Sequence, residues 1–504
     1  MNCAPAPPKA DLGCPSASKT YNNGGKTMRV YFLNPMYLSG FCKSARWFAK
    51  SRGRVQRHPD YLCEAAAVAE REGHEVRLLD AAAKDVPHLE LARSAVEFGA
   101  ELVVIQATTP TILSDIEAAK MIKEGLGDAR TVLVGAHVST EADDTFSRAD
   151  GAVDFIARGE YDLTVAELAN GRPPEQIAGL SRLDGSGRVL HNPDRPFIEN
   201  LDSLPFPAWR HINISDYRDA GKLFPFITLL GGRGCQGRCT FCLLPQVMYG
   251  RAYRPKSAKR VLDEIEYDLK LFPGLKEVMF EDDALSFPRF RPRLVEICEG
   301  MIERFGGLAW SANFRADVKD PELLKLMRRS GCRMLCVGFE FGDQEILNNV
   351  RKGVKIETMR EFAAAAKQAG IRVHGCFMIG GPGETAQTAR ATIELAKSLP
   401  IDTAQFSGVC TYPGTEYYRW CRDRGYLVPS DWPQWVDEKG EQRSVITLPD
   451  LPVDEINRFV DRGLREFYLR PRQMARMALA IRSWADLRAK LHGLASFIDY
   501  FRPS

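Results

Sequence analysis

From Met28 onward, short β-branched runs alternate with segments in which apolar residues recur every three or four positions. Runs of the first kind predict strands, and segments of the second kind predict helices that cover a sheet. The alternation predicts a parallel, doubly wound α/β domain of flavodoxin-like (Rossmann-type) topology over residues 28–168. Its strand candidates are MRVYFLNP, HEVRLLDA, ELVVIQATT, TVLVGAH and VDFIARGE.

Residues 169–220 are rich in proline and turn residues, which predicts a linker with little regular structure beyond a small hairpin. The strand and helix alternation then resumes over residues 221–430. Six βα units are too few to close a barrel of eight, so we expect an open six-unit βα barrel. Its strand candidates are FPFITLL, LKEVMFED, LAWSANFRA, CRMLCVGFEFG, IRVHGCFMIGG and DTAQFSGVCTYPG.

The two ends of the chain differ from its middle. Residues 1–27 show no periodicity and no apolar core of a secretory signal, which predicts a disordered leader. Residues 431–504 become helical and basic, and Pro471 is predicted to divide the pattern into two helices. This C-terminal helical extension is expected to cap the barrel, with docking to anionic lipid through the tail as the alternative.

Composition limits the cellular compartments and the binding partners that can be expected for the protein. No apolar run approaches the roughly 20 residues that a bilayer crossing needs. The chain has 13 cysteines without the dense spacing of a secreted scaffold, which favours a reducing compartment and predicts a cytoplasmic protein. The net charge of +3 is too small to indicate binding to nucleic acid, and none is expected.

The clearest chemical motif follows the first barrel strand, where GGRGCQGRCTFC spaces Cys235, Cys239 and Cys242 as C-x3-C-x2-C on a glycine-rich loop. Thiolates are the usual protein ligands of iron–sulfur clusters. Three of them leave one iron of a four-iron cluster open, whereas a structural zinc site requires four ligands. A partial zinc site and unrelated loop cysteines remain alternatives, but the position at a strand's carboxyl end favours a cluster.

With Phe241 directly before the last cysteine, this motif resembles the radical S-adenosylmethionine (SAM) superfamily. The resemblance implies that the open iron of a 4Fe-4S cluster binds the amino and carboxylate groups of SAM. The segments FEDD, ANFRAD, VGFEFGDQEIL, FMIGGPGET and TYPGTEYY resemble the cobalamin-binding class of that superfamily. The resemblance implies cofactor-binding roles for five residues, with structural roles as the alternative: Phe241, Asp282, Arg315, Glu340 and Gly380.

Glu340 is also singled out by its strand pattern. It shares a strand face with the small or apolar residues Cys332, Met334, Cys336 and Gly338. A carboxylate buried there needs a cationic or hydrogen-bonding partner. The ribose hydroxyls or the amino group of a nucleoside ligand would serve.

The strand ends of the first domain carry NP, TTPT, GAHVS and RGEYD, which resemble segments of cobalamin-binding radical SAM proteins. No D-x-H-x-x-G motif is present, so the resemblance implies cobalamin without a protein histidine below the cobalt. His137 is then a pocket-lining or an ordinary surface residue. The absence of G-x-G-x-x-G argues against a dinucleotide. The implied cofactor-binding residues are Asn34, Thr108, Thr109, Gly135, His137, Ser139, Gly159 and Glu160.

Two further groups of residues have open interpretations. An insertion after the first strand interleaves basic and aromatic residues, and it is expected either to clamp a phosphate or carboxylate or to be a solvated loop. The strand cysteines Cys332, Cys336, Cys376 and Cys410 are predicted to fill space, with a redox or hydrogen-donor role as the alternative. The insertion carries Phe41, Lys43, Arg46, Trp47, Phe48, Lys50, Arg52, Arg54 and Arg57.

Within the family, the motifs are most similar to the hopanoid-biosynthesis-associated and anaerobic Mg-protoporphyrin cyclase branches. The resemblance implies an enzyme that reductively cleaves SAM to a 5'-deoxyadenosyl radical. We expect cobalamin-assisted methylation of an unactivated carbon on a small-molecule or lipid substrate, with flavodoxin or ferredoxin as the reducing partner. The alternatives are a non-methylating rearrangement, cyclisation or ring contraction and, outside enzymes, a cobalamin or iron–sulfur regulator.

Overall fold

The computed structural model describes residues 27–51, 55–283 and 285–479. The predicted leader, except for its last residue, and the tail beyond residue 479 lie outside these ranges. No helix within the described ranges is long and apolar enough to cross a bilayer.

The first sheet has seven strands, and its five parallel strands lie in the spatial order 2-1-3-4-5. This order confirms the predicted flavodoxin-like topology. The hairpin predicted in the linker is present, and it extends this sheet by two antiparallel strands. In chain order the strands are Arg29–Asn34, Glu75–Asp80, Leu102–Gln106, Arg130–Val134, Phe155–Ala157, Leu180–Leu183 and Val189–His191.

Helices cover both faces of this sheet. Along the first strand, Val30 and Phe32 pack into one hydrophobic core, while Tyr31 and Leu33 pack into a second core on the other face. This alternation follows from the two-residue period of a strand. The helices are Asp60–Arg71, Ala81–Lys84, His88–Phe98, Ile112–Gly125, Ala136–Thr140, Ala142–Ala149 and Asp162–Ala169.

The second sheet contains six parallel strands in sequential order, which confirms the open six-unit barrel. The strands are Phe226–Leu229, Glu277–Phe280, Ala309–Arg315, Cys332–Glu340, Arg372–Ile379 and Thr403–Gly408. The accompanying helices are Leu243–Val247, Ala258–Leu271, Arg291–Phe305, Pro321–Arg329, Gln344–Asn349, Ile356–Gln368, Ala386–Ser398 and Glu416–Arg422.

The C-terminal region forms the helices Val453–Tyr468 and Pro471–Leu479, so Pro471 begins a second helix as predicted. The first of these helices packs against the last barrel strand and buries Ile456, Val460 and Leu464. Their spacing of four residues makes one apolar stripe, which explains why this helix covers the barrel edge. The domain boundaries at residues 168, 220 and 430 remain predictions.

Candidate active site

The cysteine loop begins at the carboxyl end of the first barrel strand. A short ladder between Gly232–Arg233 and Arg254–Pro255 fixes its base. Gly234 has a φ of +85°, and a Cβ there would collide with the carbonyl oxygen of Ala252. Because only glycine tolerates both the backbone angle and the contact, this residue sets the path of the loop.

The three sequence-predicted cysteines lie together on this loop as free thiols. Burial raises the pKa of Cys242, and the nearby charge of Asp283 raises it further. Burial likewise raises the pKa of Cys235, although the Gly237 N–H opposes this by donating to its sulfur at 3.3 Å. Thiols in such surroundings stay protonated until a metal displaces the protons, so the donor set fits an iron–sulfur cluster.

Gln246 holds the rear of the loop, and it was not singled out as a site residue from the sequence. Its side-chain amide donates to the carbonyl oxygens of Cys242 at 2.7 Å and Thr240 at 3.0 Å. Its side-chain oxygen accepts from the Glu416 N–H at 2.9 Å. The side chain therefore fixes the backbone around the third cysteine. Phe241 is half-buried and packs against the main core.

Asp282, predicted to contact SAM, already has two protein partners. One carboxylate oxygen accepts from the Gly231 N–H at 2.9 Å, and the other accepts from the Tyr253 hydroxyl. Burial raises its pKa, although Arg293 opposes this change. These contacts tie Asp282 to the turn that leads into the cysteine loop, so its geometry is that of a positioning residue.

The next residue, Asp283, has a free acceptor. One of its oxygens accepts from Arg46 at 2.7 Å, whereas the other is buried without a hydrogen-bond partner among the described residues. Two nitrogens of Arg46 are also buried without such a partner. Because buried polar atoms normally find partners, this group beside the cysteine loop fits a polar ligand such as SAM.

Glu340 has the cationic partner that its burial required, and that partner comes from the protein. Its carboxylate lies 2.7 Å from the ammonium group of Lys352, and both side chains are buried. The strand register shifts between Gly338 and Glu340, and Glu340 has a φ of +65°. Lys352 was missed by sequence reasoning because it lies in a loop without a periodic pattern.

Arg315 and Gly380, also predicted to contact SAM, both have hydrogen-bond partners within the protein. Arg315 donates to Asp317 at 2.8 Å and to the Lys352 carbonyl at 3.1 Å. The Gly380 N–H donates to Glu384, whose pKa burial raises to about 7. One oxygen of Glu384 is buried without a hydrogen-bond partner in the described ranges. Glu384 is therefore a further candidate, found from its unpaired oxygen.

A small cavity of about 20 Å³ lies between the carboxyl edge of the first sheet and the segment after the cysteine loop. The predicted residues Thr108, Thr109, Gly135 and His137 line it. Leu243, directly after Cys242, lines its opposite wall. The other lining residues are Ala45, Phe48, Tyr61, Gln106, Ala107, Ala136, Tyr161, Leu244, Met248 and Tyr249.

His137 shows that this cavity has an unmet polar partner. Its Nδ1 lies 3.3 Å from the Thr109 hydroxyl, whereas its Nε2 is buried and has no partner among the described residues. Burial lowers its pKa to about 3, so the imidazole is neutral. The Trp432 ring packs edge-on against the imidazole, with the two ring centroids 4.9 Å apart. The lining is largely apolar with a few polar atoms, as in ligand-binding sites, but the cavity as it stands has room for little more than one water molecule. A ligand the size of cobalamin therefore requires the two walls to move apart.

The remaining residues predicted for cobalamin lie outside the cavity lining. The Asn34 amide donates to the Lys43 carbonyl at 2.8 Å. The Ser139 hydroxyl accepts from the Gly159 N–H at 3.0 Å. Glu160 is buried in an ion pair with Arg254, across to the barrel. Asn34, Ser139, Gly159 and Glu160 thus support strand ends and domain contacts.

Three basic residues of the insertion after the first strand are held in ion pairs. Arg46 pairs with Asp283, and Arg57 lies 2.8 Å from both Asp219 and Glu281. Lys43 is buried in an ion pair with Asp115. Carboxylates distant in sequence take up these charges, so the solvated-loop alternative is wrong for these three residues. The clamp of a phosphate or carboxylate remains a prediction, and Arg46 has two unpaired nitrogens for it. Arg52 and Arg54 lie outside the described residues.

The strand cysteines divide into two groups. Cys332 is fully buried, as expected for a residue that fills space. Cys336, Cys376 and Cys410 are half-buried instead. Cys336 and Cys376 face the interior of the barrel, with their sulfurs 3.6 Å apart.

Comparisons with known proteins match two separate parts of the chain. The family model of the B12 binding domain matches residues 58–169, and that of the radical SAM superfamily matches residues 229–396. An uncharacterized methyltransferase of Pyrococcus horikoshii is 30% identical over 406 residues, which cover 80% of this chain and 86% of that protein.

Two further proteins show the range of similar molecules. An anaerobic magnesium-protoporphyrin IX monomethyl ester cyclase of Cereibacter sphaeroides is 29% identical over 417 residues, which cover 79% of this chain and 64% of that protein. The structure of the cobalamin-dependent S-adenosylmethionine radical enzyme OxsB, with aqua-cobalamin and S-adenosylmethionine bound, has a similar fold. Its TM-score is 0.71 at 16% identity, covering 94% of this chain and 72% of that chain.

Proposed function

The chain belongs to the cobalamin-binding class of radical SAM enzymes, and we propose that it methylates an unactivated carbon of a secondary metabolite, a lipid or a related substrate. Membership implies a 4Fe-4S cluster, SAM and cobalamin as cofactors, a small-molecule substrate and a reductant. It also favours an enzyme over the non-catalytic regulator. When bound, the cluster and SAM supply a 5'-deoxyadenosyl radical, and cobalamin supplies a methyl group.

One observation carries the proposal. Leu243 and Leu244 follow Cys242 directly in the chain, and both line the cavity of His137 and Thr109. The candidate cluster and cobalamin positions are therefore contiguous. A methylating enzyme needs this proximity because the group that activates the carbon and the group that delivers the methyl must reach the same atom.

We propose the following roles for the chain's own residues. Cys235, Cys239 and Cys242 bind the cluster, and Phe241 packs beside it. The unpaired oxygen of Asp283 and the unpaired nitrogens of Arg46 orient SAM, and Asp282 holds the turn beneath them. The Glu340–Lys352 pair, Arg315, and Gly380 with Glu384 complete the wall of that site.

In the front cavity, Thr108, Thr109, Gly135 and His137 contact cobalamin. His137 serves as a neutral hydrogen-bonding residue and not as a ligand of cobalt. The absence of a D-x-H-x-x-G motif supports this role. The Thr109 hydroxyl lies 3.3 Å from Nδ1, so Nε2 is left for the cofactor's polar edge. Electron paramagnetic resonance of the Co(II) form should then show no coupling to an imidazole nitrogen.

The decisive experiment is anaerobic reconstitution with iron, sulfide and hydroxocobalamin, followed by SAM and dithionite. We expect 5'-deoxyadenosine from the parent protein and none from a Cys235→Ala variant. Cys410→Ser, a change of a half-buried thiol outside the loop, is the matched control. A cluster that forms equally well without Cys235, Cys239 and Cys242 would reject the assignment.

A second candidate is a non-methylating rearrangement, cyclisation or ring contraction of a lipid, polyprenoid or tetrapyrrole. The similarity to the magnesium-protoporphyrin cyclase favours it. Product analysis separates the two functions once substrates are screened. Methylation yields S-adenosylhomocysteine together with 5'-deoxyadenosine, whereas the second candidate yields 5'-deoxyadenosine alone.

We also propose flavodoxin or ferredoxin as the electron donor, a cytoplasmic location and no binding to nucleic acid. Peripheral membrane contact through the tail is the remaining partner proposal, and residues 480–504 lie outside the described ranges. Sedimentation with anionic vesicles tests it. Equal binding by the full chain and a variant lacking residues 480–504 would reject the contact.

A further inference from the structure

The interior of the barrel contains a group of two thiols and one imidazole. Cys336 lies on the fourth barrel strand, and His374 and Cys376 lie on the fifth. Their ligand atoms all lie within 4.8 Å of one another. Cys336 is the register partner of His374, and Gly338 is the partner of Cys376. The strand pairing thus brings three soft donors to one place.

The strand pattern also shows that this place is accessible. Along the fifth strand, His374, Cys376 and Met378 are half-exposed, while the residues between them are buried. The partly exposed residues face the barrel interior, and the buried residues between them face the surrounding helices. The three donors therefore face the interior of the six-stranded barrel, partway along strands whose carboxyl ends lie at the face where barrel enzymes bind substrate.

The spacing of the sulfurs matches a metal site. With zinc–sulfur bonds of about 2.3 Å, two thiolates of a tetrahedral site lie about 3.8 Å apart. The sulfurs of Cys336 and Cys376 are 3.6 Å apart. Two thiolates and one imidazole form a ligand set that zinc accepts, with the fourth position left for water or substrate.

A hydrogen bond orients the imidazole. The Nδ1 of His374 lies 2.8 Å from the hydroxyl oxygen of Thr403, its register partner on the sixth strand. A histidine that binds a metal through one nitrogen usually donates a hydrogen bond from the other. Thr403 thus holds Nδ1 of His374, and the Gln405 side chain also hydrogen-bonds to this imidazole. A metal would bind through Nε2 in place of the Gln405 contact.

The neighbouring charges are compatible with a divalent cation. Arg57 lies close by and is paired with Asp219 and Glu281, each at 2.8 Å. Lys222 donates to the Ser311 hydroxyl at 2.8 Å. A divalent cation that displaces two thiol protons leaves the net charge of this interior unchanged.

We propose that Cys336, His374 and Cys376 bind one Zn²⁺ in the barrel interior, separate from the three cysteines of the cluster loop. Its fourth position faces the lumen and takes a water molecule or an oxygen of the substrate. This site would anchor the substrate independently of SAM cleavage.

The test uses full-length protein with its cluster reconstituted anaerobically, titrated with Zn²⁺ against a chromophoric chelator. We expect about one tightly bound Zn²⁺ per chain, lost in Cys336→Ser and in Cys376→Ser and retained in the control Cys410→Ser. Thr403→Val should weaken zinc binding by about 10- to 100-fold, because it removes the partner that orients the ring. Zinc X-ray absorption should show two sulfur neighbours.

Iron content measured on the same samples separates this site from the cluster. Unchanged iron in Cys336→Ser and Cys376→Ser, together with lost zinc, supports the proposal. Zinc binding that is absent from the parent, or equal in parent and variants, overturns it. A disulfide between Cys336 and Cys376 in anaerobic protein, detected by mass spectrometry, also overturns it.

Discussion

At the scale of single residues, charged side chains buried beside the cysteine loop are held by partners from other elements. Glu340 ends a strand, and Lys352 lies in a later loop at 2.7 Å. Burial is the largest single influence on the pKa of Lys352 and lowers it, but the charge and hydrogen bond of Glu340 together with nearby Cys239 raise that pKa above its ordinary value. Lys352 therefore stays charged, and removing either side chain leaves the other buried without its ion-pair partner.

Lys352→Met is predicted to lower the free energy of unfolding by about 3–5 kcal/mol, because the buried Glu340 carboxylate then loses its cationic partner. The double variant Glu340→Gln/Lys352→Met should recover most of this loss. Urea denaturation of the parent, the single and the double variant measures both effects. A single-variant loss below about 1 kcal/mol, typical of an exposed pair, would contradict the prediction.

His137 predicts a pH dependence of stability. Its pKa is about 3 in the folded protein against an ordinary value of 6.5. Between these values the unfolded chain binds a proton that the folded chain does not, so this contribution is complete above pH 6.5 and is lost as pH falls. The loss between pH 7.5 and pH 5 should be about 2 kcal/mol.

The variant His137→Asn isolates this effect, because asparagine does not titrate and every other group is unchanged. Denaturation at several pH values, without added cobalamin, should give a flatter profile for the variant than for the parent. Parallel profiles would mean that the imidazole is not buried as described.

The sequence could indicate that Glu340 needs a partner but not which partner it has. The two-residue alternation along the strand predicts that the Glu340 carboxylate is buried. The position of Lys352 beside it results from a register shift and from the path of a loop, and neither can be predicted from a periodic sequence pattern. Asp282 and Asp283 are neighbours in sequence, and the sequence does not distinguish their roles. The structure does, because Tyr253 contacts Asp282 and Arg46 contacts Asp283. Side-chain pairing between distant segments is the information that a local pattern lacks.

At the scale of elements, the strands were predictable because each buried face repeats every two residues and each strand is followed by a helix. The insertion after the first strand was not, because its basic residues look solvated in sequence. Arg57 finds its carboxylate partner 224 positions later, in Glu281. The cysteine loop was predictable only in part. Its cysteine spacing could be recognised in the sequence, but the contacts that hold its backbone could not.

Gly234→Ala is predicted to disrupt the cysteine loop. Its φ of +85° would strain an alanine by about 1–3 kcal/mol, and the added Cβ would also meet the Ala252 carbonyl. We expect a clear fall in iron retained after anaerobic reconstitution. Gly274→Ala is the control, because a Cβ at Gly274 meets nothing within 4 Å. Equal iron retention in the two variants would show that the loop adapts.

At the scale of the whole molecule, the two α/β units are joined by buried charge next to both candidate cofactor positions. Arg233 precedes the cysteine loop and pairs with Asp162 at 2.8 and 2.9 Å and with Glu64 at 2.5 Å. Both carboxylates belong to helices of the first sheet. The cavity wall and the cysteine loop therefore share one rigid support, and neither position can shift without disturbing this group.

Arg233→Met tests that support. It leaves Glu64 and Asp162 buried without their guanidinium partner, so we expect a loss of about 3–5 kcal/mol in unfolding free energy. Because the lost contacts join the two units, denaturation followed by near-UV circular dichroism should separate into two transitions. Arg188→Met, which breaks an exposed pair with Asp184, should cost less than about 1 kcal/mol and keep the parent's profile. If Arg233→Met keeps the parent's profile as well, the units are held together mainly by the apolar contacts of the shared core.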